Sequence, residues 1–349
     1  MQDASGLERD KKGEAVLVAS LAVLLLIVIF VSFMVGTHAM SPSEMLEGVV
    51  AWASGNVTEE LESTVNVLFA IRLPRVLLAA MVGAALAVSG AAYQGIFRNP
   101  MVSPDILGVS NGASVGVALG LLLALPSVLV HGLSFVFGAG AVLLVLGVAH
   151  AVGNRSGNVM TVMILAGVVV GSIGSSLLSL IKYIADPDNT LPAITYWLMG
   201  SFARSGNATN ILVMGVVLLL GGGLLMAFRW KLNVMTFGED EARSLGVNVR
   251  RTRVLVILAA TLMTSITVCF CGAIGWVGLI IPHIVRLVVG PNYQALVPIS
   301  MLAGANFMLI VDNVARIIVP GELPVGVLTA LIGAPLFIYM LFKGRSQYL

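Results

Sequence analysis

From Ala15 to Val35 the chain runs twenty-one residues without a charge, and an apolar helix of about 20 residues is what a hydrocarbon core of ~30 Å demands. Nine further apolar blocks follow, each ended by glycine, proline or charge. The set lies near 15–36, 73–93, 107–125, 132–152, 159–184, 208–228, 253–272, 274–290, 295–312 and 324–342. A chain of 349 residues that is 58% hydrophobic and 10% charged, with a mean hydropathy of +1.01, is no soluble domain, where charge runs near a quarter. A transmembrane barrel would show short alternating segments instead. The expectation is an all-α integral membrane protein with about ten transmembrane helices, one domain over residues 1–349.

The first block could be a signal peptide, because Arg9, Lys11 and Lys12 precede it. Its apolar run exceeds the 7–15 residues of a signal core, and the only small-x-small site is Thr37-His38-Ala39. It reads as a retained helix. Ten crossings place both ends on one side, and the basic residues choose which. Arg9, Lys11, Lys12, Arg98, Arg155, Arg229, Lys231, Arg243, Arg250, Arg251, Arg253, Arg286, Lys343 and Arg345 share the side of the termini, whereas Arg72, Arg75, Lys182, Arg204 and Arg316 face the other. The first side is therefore cytoplasmic.

The outer side has one distinct polar segment, His38 to Arg72, carrying Glu44, Glu47, Glu59, Glu60 and Glu62. Ser41 before Pro42, with Glu44 three residues after the cap, predicts a short surface helix there. On the cytoplasmic side, charge concentrates in GEDEARSLGVNVRRTR, Gly238 to Arg253, the longest connection. Glu239, Asp240 and Glu241 come first and Arg243 later, an order that offsets the dipole of a short helix at each end. Gly246 supplies a stop. Leu245 and Val247 are apolar and exposed unless something covers them. A solvated connection and a docking surface both fit these residues.

Four longer stretches carry a resemblance. RLPRVLLAAMVGAALAVSGAAYQGIFRNPMVSPDILGVSNGASVG (72–116), GEDEARSLGV (238–247), GAIGWVGLIIPHIVRLVVG (272–290) and ELPVGVLTALIGAPLFIYML (322–341) are similar to the FecCD-type permeases of bacterial ABC importers. These carry iron-siderophores, haem, cobalamin and, in some members, oxyanions. The resemblance implies the type II importer permease fold in a bacterial or archaeal cytoplasmic membrane. It also implies a homodimer around a central path, two cytoplasmic ABC ATPase subunits and an extracytoplasmic substrate-binding protein. It makes Gly238, Glu239, Asp240, Glu241, Ala242, Arg243, Ser244, Leu245 and Gly246 the coupling helix that sits in the ATPase. The chain has no G-x-x-x-x-G-K-[ST] loop and no Gly-Lys pair, so it lacks the usual phosphate cradle. ATP and Mg are expected in the partner ATPase, with no cofactor, catalytic residue or metal in this chain. Membrane lipid is the remaining partner, and nothing points to nucleic acid.

The same resemblance assigns Arg72, Arg75 and Arg316, outer-side bases against the positive-inside trend, to glutamates of the binding protein, with helix-end snorkelling as the alternative. It places Asn99 and Met101, in the two-proline turn FRNPMVSPD, at the cytoplasmic exit, with a second constriction at Asn158, Val159 and Met160. Relatives can carry small hydroxyl residues there, so Val159 and Met160 depart from the pattern. Gly108, Gly112 and Gly116, and Gly83 with Gly90, are spaced for close helix packing. His38, His131, His150 and His283 are too scattered for a metal site, and His283, after Pro282, is placed to bond a freed carbonyl. Cys269 and Cys271, roughly 200° apart around a helix, would chelate poorly. Intramembrane acids are few, with Asp312 near an outer helix end, which argues against the alternative of an ion-coupled secondary transporter. A membrane enzyme with a Cys/His site is the third possibility.

Overall fold

The computed structural model describes residues 4–36, 40–156, 159–203, 206–319 and 321–344, without side chains for 4–11, 153–156, 341 and 343–344. Thr37, His38, Ala39, Asn158, Arg204 and Arg345 lie outside the described residues, as do the side chains of Arg9, Lys11, Arg155 and Lys343. All regular structure among the described residues is helical. In chain order come α1 (Ala4–Met34), α2 (Pro42–Ser54), α3 (Glu59–Val65), α4 (Leu73–Phe97) and α5 (Val109–Leu122). Next are α6 (Ser127–Ser156), α7 (Val159–Ile184), α8 (Thr190–Leu198), α9 (Ala208–Phe237) and α10 (Glu239–Ser244). The last are α11 (Val249–Cys271), α12 (Val277–Val289), α13 (Tyr293–Ile317) and α14 (Val325–Gly344).

Among the described residues, seven helical stretches have the length and apolarity to cross a membrane: α1, the run from α3 through α4, α6, α7, α9, α11 and α13. With the shorter apolar helices α5, α12 and α14, they occupy the ten predicted blocks. The helix preceding α4 is continuous with it through a π-helical stretch, Asn66–Arg72. Pro74 follows immediately; it has no N–H for the ladder and its ring crowds the preceding turn, a conflict that a wider turn relieves. The cap predicted for α2 is formed. Ser41 Oγ accepts from Glu44 N at 3.2 Å while Ser41 N donates to the Glu44 carboxylate at 2.7 Å.

Two elements differ from the sequence pattern. α9 runs to Phe237, past the block end at 228, because nothing between Arg229 and Phe237 breaks a helix before Gly238. α8 falls between the apolar blocks, since nine residues with an internal proline are too few to show as a crossing.

Helix α4 forms the centre of the bundle and packs against α13, α11, α9 and α12. Its glycines let backbones meet. A Cβ at Gly90 would lie 1.7 Å from the Gly278 carbonyl oxygen on α12, and one at Gly83 would lie 2.2 Å from that of Gly304 on α13. On α5, Gly112 and Gly116 meet the Phe137 and Leu133 carbonyls of α6 in the same way, at 2.5 and 2.4 Å from a built Cβ. The predicted small-residue packing is thus backbone contact, through which helices associate without a hydrophobic driving force in lipid.

Helix α12 has thirteen residues, about 20 Å of rise, and cannot reach across the bilayer. The irregular stretch 272–276 before it has no helical ladder, and its backbone groups need partners from the surrounding protein. Protein cover for it comes from α8 and α14. Ser201 N donates to Cys271 O at 2.8 Å, and the Gly326 backbone lies against the Ala273 and Met199 carbonyls.

Candidate functional site: a charged knob and a buried charge cluster

The charged segment folds as the sequence pattern predicts, as the short helix α10 with Glu239, Asp240 and Glu241 in its first turn and Arg243 in its last. Arg243 pairs with Glu239 and Asp240, each at 3.2 Å. Gly246, at φ 79°, closes a Schellman end: its N–H donates to Arg243 O at 3.0 Å, and Val247 N donates to Ala242 O at 2.9 Å. That turn covers one of the two apolar residues and leaves the other open. Val247 is 3% exposed, folded under the helix with Ala242, whereas Leu245 stays 57% exposed and Phe237, just before α10, is also exposed. The result is a projecting knob of two apolar side chains and exposed charges, seated on a buried base.

Glu239 differs from its charged neighbours because it also turns inward and pairs with Arg253 on α11, a buried residue. Gly238, Glu239 and Arg253 bound the same small void as Ile96 and Arg98, from the end of α4, and Met160, from the start of α7. Sequence reasoning placed Arg253 only by topology; fourteen residues and a turn separate it from Glu239.

Of the candidate exit residues, Met160 lines that void. Asn99 and Met101 lie in the turn after α4, where Arg98 takes φ 49° and the Asn99 side chain accepts from Met101 N at 2.9 Å. Met101 is half exposed. Val159 and Met160, in the first turn of α7, pack against the core.

Around the start of α4 the three arginines are not a free basic patch. Arg72, Arg75 and Arg316 are all buried. Arg75 reaches Asp312 through Nε at 3.0 Å and Nη2 at 2.8 Å, and Glu322 through Nη1 at 2.7 and 2.8 Å. Arg316 also meets Asp312, with Nε 3.2 Å from the carboxylate. Asp312 is 0% exposed. The arginines further serve the end of α1, where helical carbonyls lack internal partners: Arg72 donates to Phe33 O, and Arg316 Nη1 donates to Ser32 O at 3.2 Å and Val35 O at 2.9 Å. The three arginines therefore belong to a buried network joining α1, α4, α13 and the loop before α14. Glu322, a central member, was not singled out from sequence.

Cys269 and Cys271 are free and buried, and Cys269 Sγ donates to His131 O at 3.2 Å. His283 does not make the predicted carbonyl bond through Nδ1, which is buried without a hydrogen-bond partner. No group of three His, Cys, Asp or Glu suited to a metal occurs among the described residues.

A bundle of apolar helices knitted by glycine contacts, with a charged knob at one end and a charge cluster at the other, defines a multi-pass membrane permease rather than an enzyme. The chain belongs to the FecCD transport family, whose sequence profile matches residues 24–343. It is 41% identical to the molybdate import system permease protein MolB of Haemophilus influenzae, over 93% of this chain and 94% of that one. It is 43% identical to the cobalamin import system permease protein BtuC of Halobacterium salinarum, over 78% and 72% of the two chains. Among solved structures, a metal-chelate type ABC transporter in an inward-facing conformation matches with a TM-score of 0.82 at 38% identity, covering 95% of this chain and 99% of that one. The chain is a transport permease of an ABC importer, with ATP hydrolysis in a separate subunit. That replaces the ion-coupled carrier and the Cys/His enzyme as readings.

Proposed function

We propose that two copies of this chain form the translocation path of a binding-protein-dependent importer in a bacterial or archaeal cytoplasmic membrane, both termini cytoplasmic. Each copy docks one ATPase subunit through residues 238–246, and the outer face receives an extracytoplasmic binding protein. The cargo is a metal chelate of the iron-siderophore, haem or cobalamin class. The observation that carries the coupling is the knob: Phe237 and Leu245 stay exposed beside Asp240 and Arg243, while Ala242 and Val247 fix the base in the core. Apolar side chains held in water beside charge suit a protein groove. Asn99, Met101, Val159 and Met160 form the exit constriction, closed by apolar side chains that exclude water.

The cobalamin-importing relative and the metal-chelate type structure support the chelate reading. The molybdate-importing relative, matched over nearly its whole length, favours an oxyanion as the second. Reconstitution with the ATPase subunit and binding protein in vesicles separates them. Uptake and ATPase stimulation by ferric siderophore, haem or cobalamin supports the chelate; stimulation by molybdate alone replaces it. No stimulation by the ATPase partner with any cargo would remove the coupling reading.

A further inference from the structure

The Arg75 fork is filled by two carboxylates of unequal standing. Asp312 is out of reach of water on α13, whereas the Glu322 side chain is 27% exposed and sits in the loop before α14. Glu322 also holds φ 65°, a left-handed conformation that a non-glycine residue keeps only when its surroundings impose it. Of the two acids, only Glu322 can leave the Arg75 fork without uncovering a buried carboxylate, because Asp312 is shut away from water.

Glu322 begins a segment stitched to the end of α8. Val325 N donates to Gly200 O at 2.9 Å and Gly326 N to Met199 O at 3.1 Å, while Leu323 N donates to Ala315 O at 2.9 Å. Under this segment lies an outer cavity of about 310 Å³ lined by Tyr196, Trp197, Ser201, Phe270, Cys271 and Glu322, among others. The Arg75–Glu322 pair thus clamps one wall of the cavity, and the backbone bonds carry that wall on to α8.

We propose that Glu322 is an internal stand-in for a carboxylate of the docking partner. An acidic protein surface exchanges with Glu322 for the accessible side of Arg75, which releases residues 322–326, lets the end of α8 shift and opens the cavity outward. Asp312 stays in place and keeps Arg75 oriented. The exchange rests on the proposed docking of an extracytoplasmic protein at this face, and it explains how buried arginines can answer an acidic partner. Recognition then has two requirements, the carboxylate and the geometry to displace one.

Cys271 lines the cavity and is 2% exposed, which makes it a native reporter. The permease with its ATPase subunits in nanodiscs would be treated with a membrane-impermeant maleimide, with C271A as the control for labelling elsewhere. Wild type should label slowly, and faster when a hexaglutamate peptide is added at low salt but not with hexaglutamine. E322Q should label fast without peptide, and should bind the binding protein up to about fivefold more tightly, the scale of one weakly buried ion pair. E322D, which keeps the charge, should stay closer to wild type. The exchange is overturned if E322Q labels no faster than wild type, or if it labels faster while hexaglutamate has no effect. Docking is read separately, as salt-sensitive binding of the binding protein to wild type. If that binding is present and E322Q changes neither rate nor affinity, docking stands and the exchange falls; if it is absent, the docking reading falls with it.

Discussion

Replacing Asp312 by Asn removes one charge and almost no volume, so its cost isolates the electrostatics of the outer cluster. Asp312 is fully buried and accepts two close bonds from Arg75 while pairing with Arg316 at 3.2 Å. Without its charge two buried guanidinium groups lose their common partner, and the cluster of Arg72, Arg75, Arg316 and Glu322 carries two positive charges in excess. Breaking a buried ion pair from one side costs about 3–5 kcal/mol. Glu322→Gln breaks a pair whose acid is partly in water, which is worth about 1 kcal/mol or less. At roughly 2–4 °C per kcal/mol for a chain of this order of size, D312N should lower the melting temperature by about 6–20 °C and E322Q by no more than about 4 °C. The assay is thermal unfolding in detergent, followed by tryptophan fluorescence and by loss of the monodisperse peak. D312E, which keeps the charge, should fall between D312N and wild type. Equal melting temperatures for D312N and wild type would refute the claim that this carboxylate holds the cluster together.

Gly90→Ala forces α4 away from the Gly278 backbone and should cost at least the ~1–3 kcal/mol of an overpacked core, whereas Gly132→Ala, which meets nothing within 4 Å, should leave the yield of monodisperse protein unchanged. On the cytoplasmic side, reversing Asp240 and Arg243 together should lower ATPase co-purification, while E239Q and R253Q should leave co-purification intact and lower transport per ATP hydrolysed; intact transport in all of them would leave the knob without a role. Ser41→Ala removes a helix cap and should destabilise α2 locally by about 1 kcal/mol. Hydrogen bonds from the Ser41 backbone and side chain hold the Glu44 carboxyl below its usual 4.5; that stabilisation is present above the unfolded value and lost as pH falls through the lowered one, so amide exchange in α2 should quicken on acidification and do so less in S41A. Cysteines at Met101 and Met160 should cross-link between subunits in a closed state, and small polar replacements there should leak without ATP; tight mutants that never cross-link would move the exit elsewhere.

What could be read from residues alone follows how far each contact reaches along the chain. The ten apolar blocks, the Ser41 cap and the α10 dipole are local patterns and appear where the sequence puts them. The glycine positions on α4 and α5 were legible as close-packing sites, though not which backbones they touch. The outer arginines were legible as anomalies of charge placement, but their partners stand 237 and 247 residues away from Arg75, and no local pattern announces them. Val247 read as exposed because the Schellman turn that folds it under α10 depends on the left-handed Gly246 and on a core surface waiting beneath. The pairing of Glu239 with Arg253 needed α11 to start where it does.

The glycine contacts lock backbones together within two bodies of helices, although Gly278 on α12 also meets the Pro104 ring and α11 packs against both. Gly83 with Gly304 and Gly90 with Gly278 put α4, α12 and α13 backbone against backbone, and Gly112 and Gly116 do the same for α5 and α6, with Gly167 on α7 set against the Ile106 carbonyl. Surfaces that fit this closely have no slack in which to bend or slide by small steps. The expected outcome is a transport cycle in which each body moves as a block, with the change taken up at the seam where the two meet. Disulfide staples inside either body should be silent in transport, and a single staple across the seam should stop it.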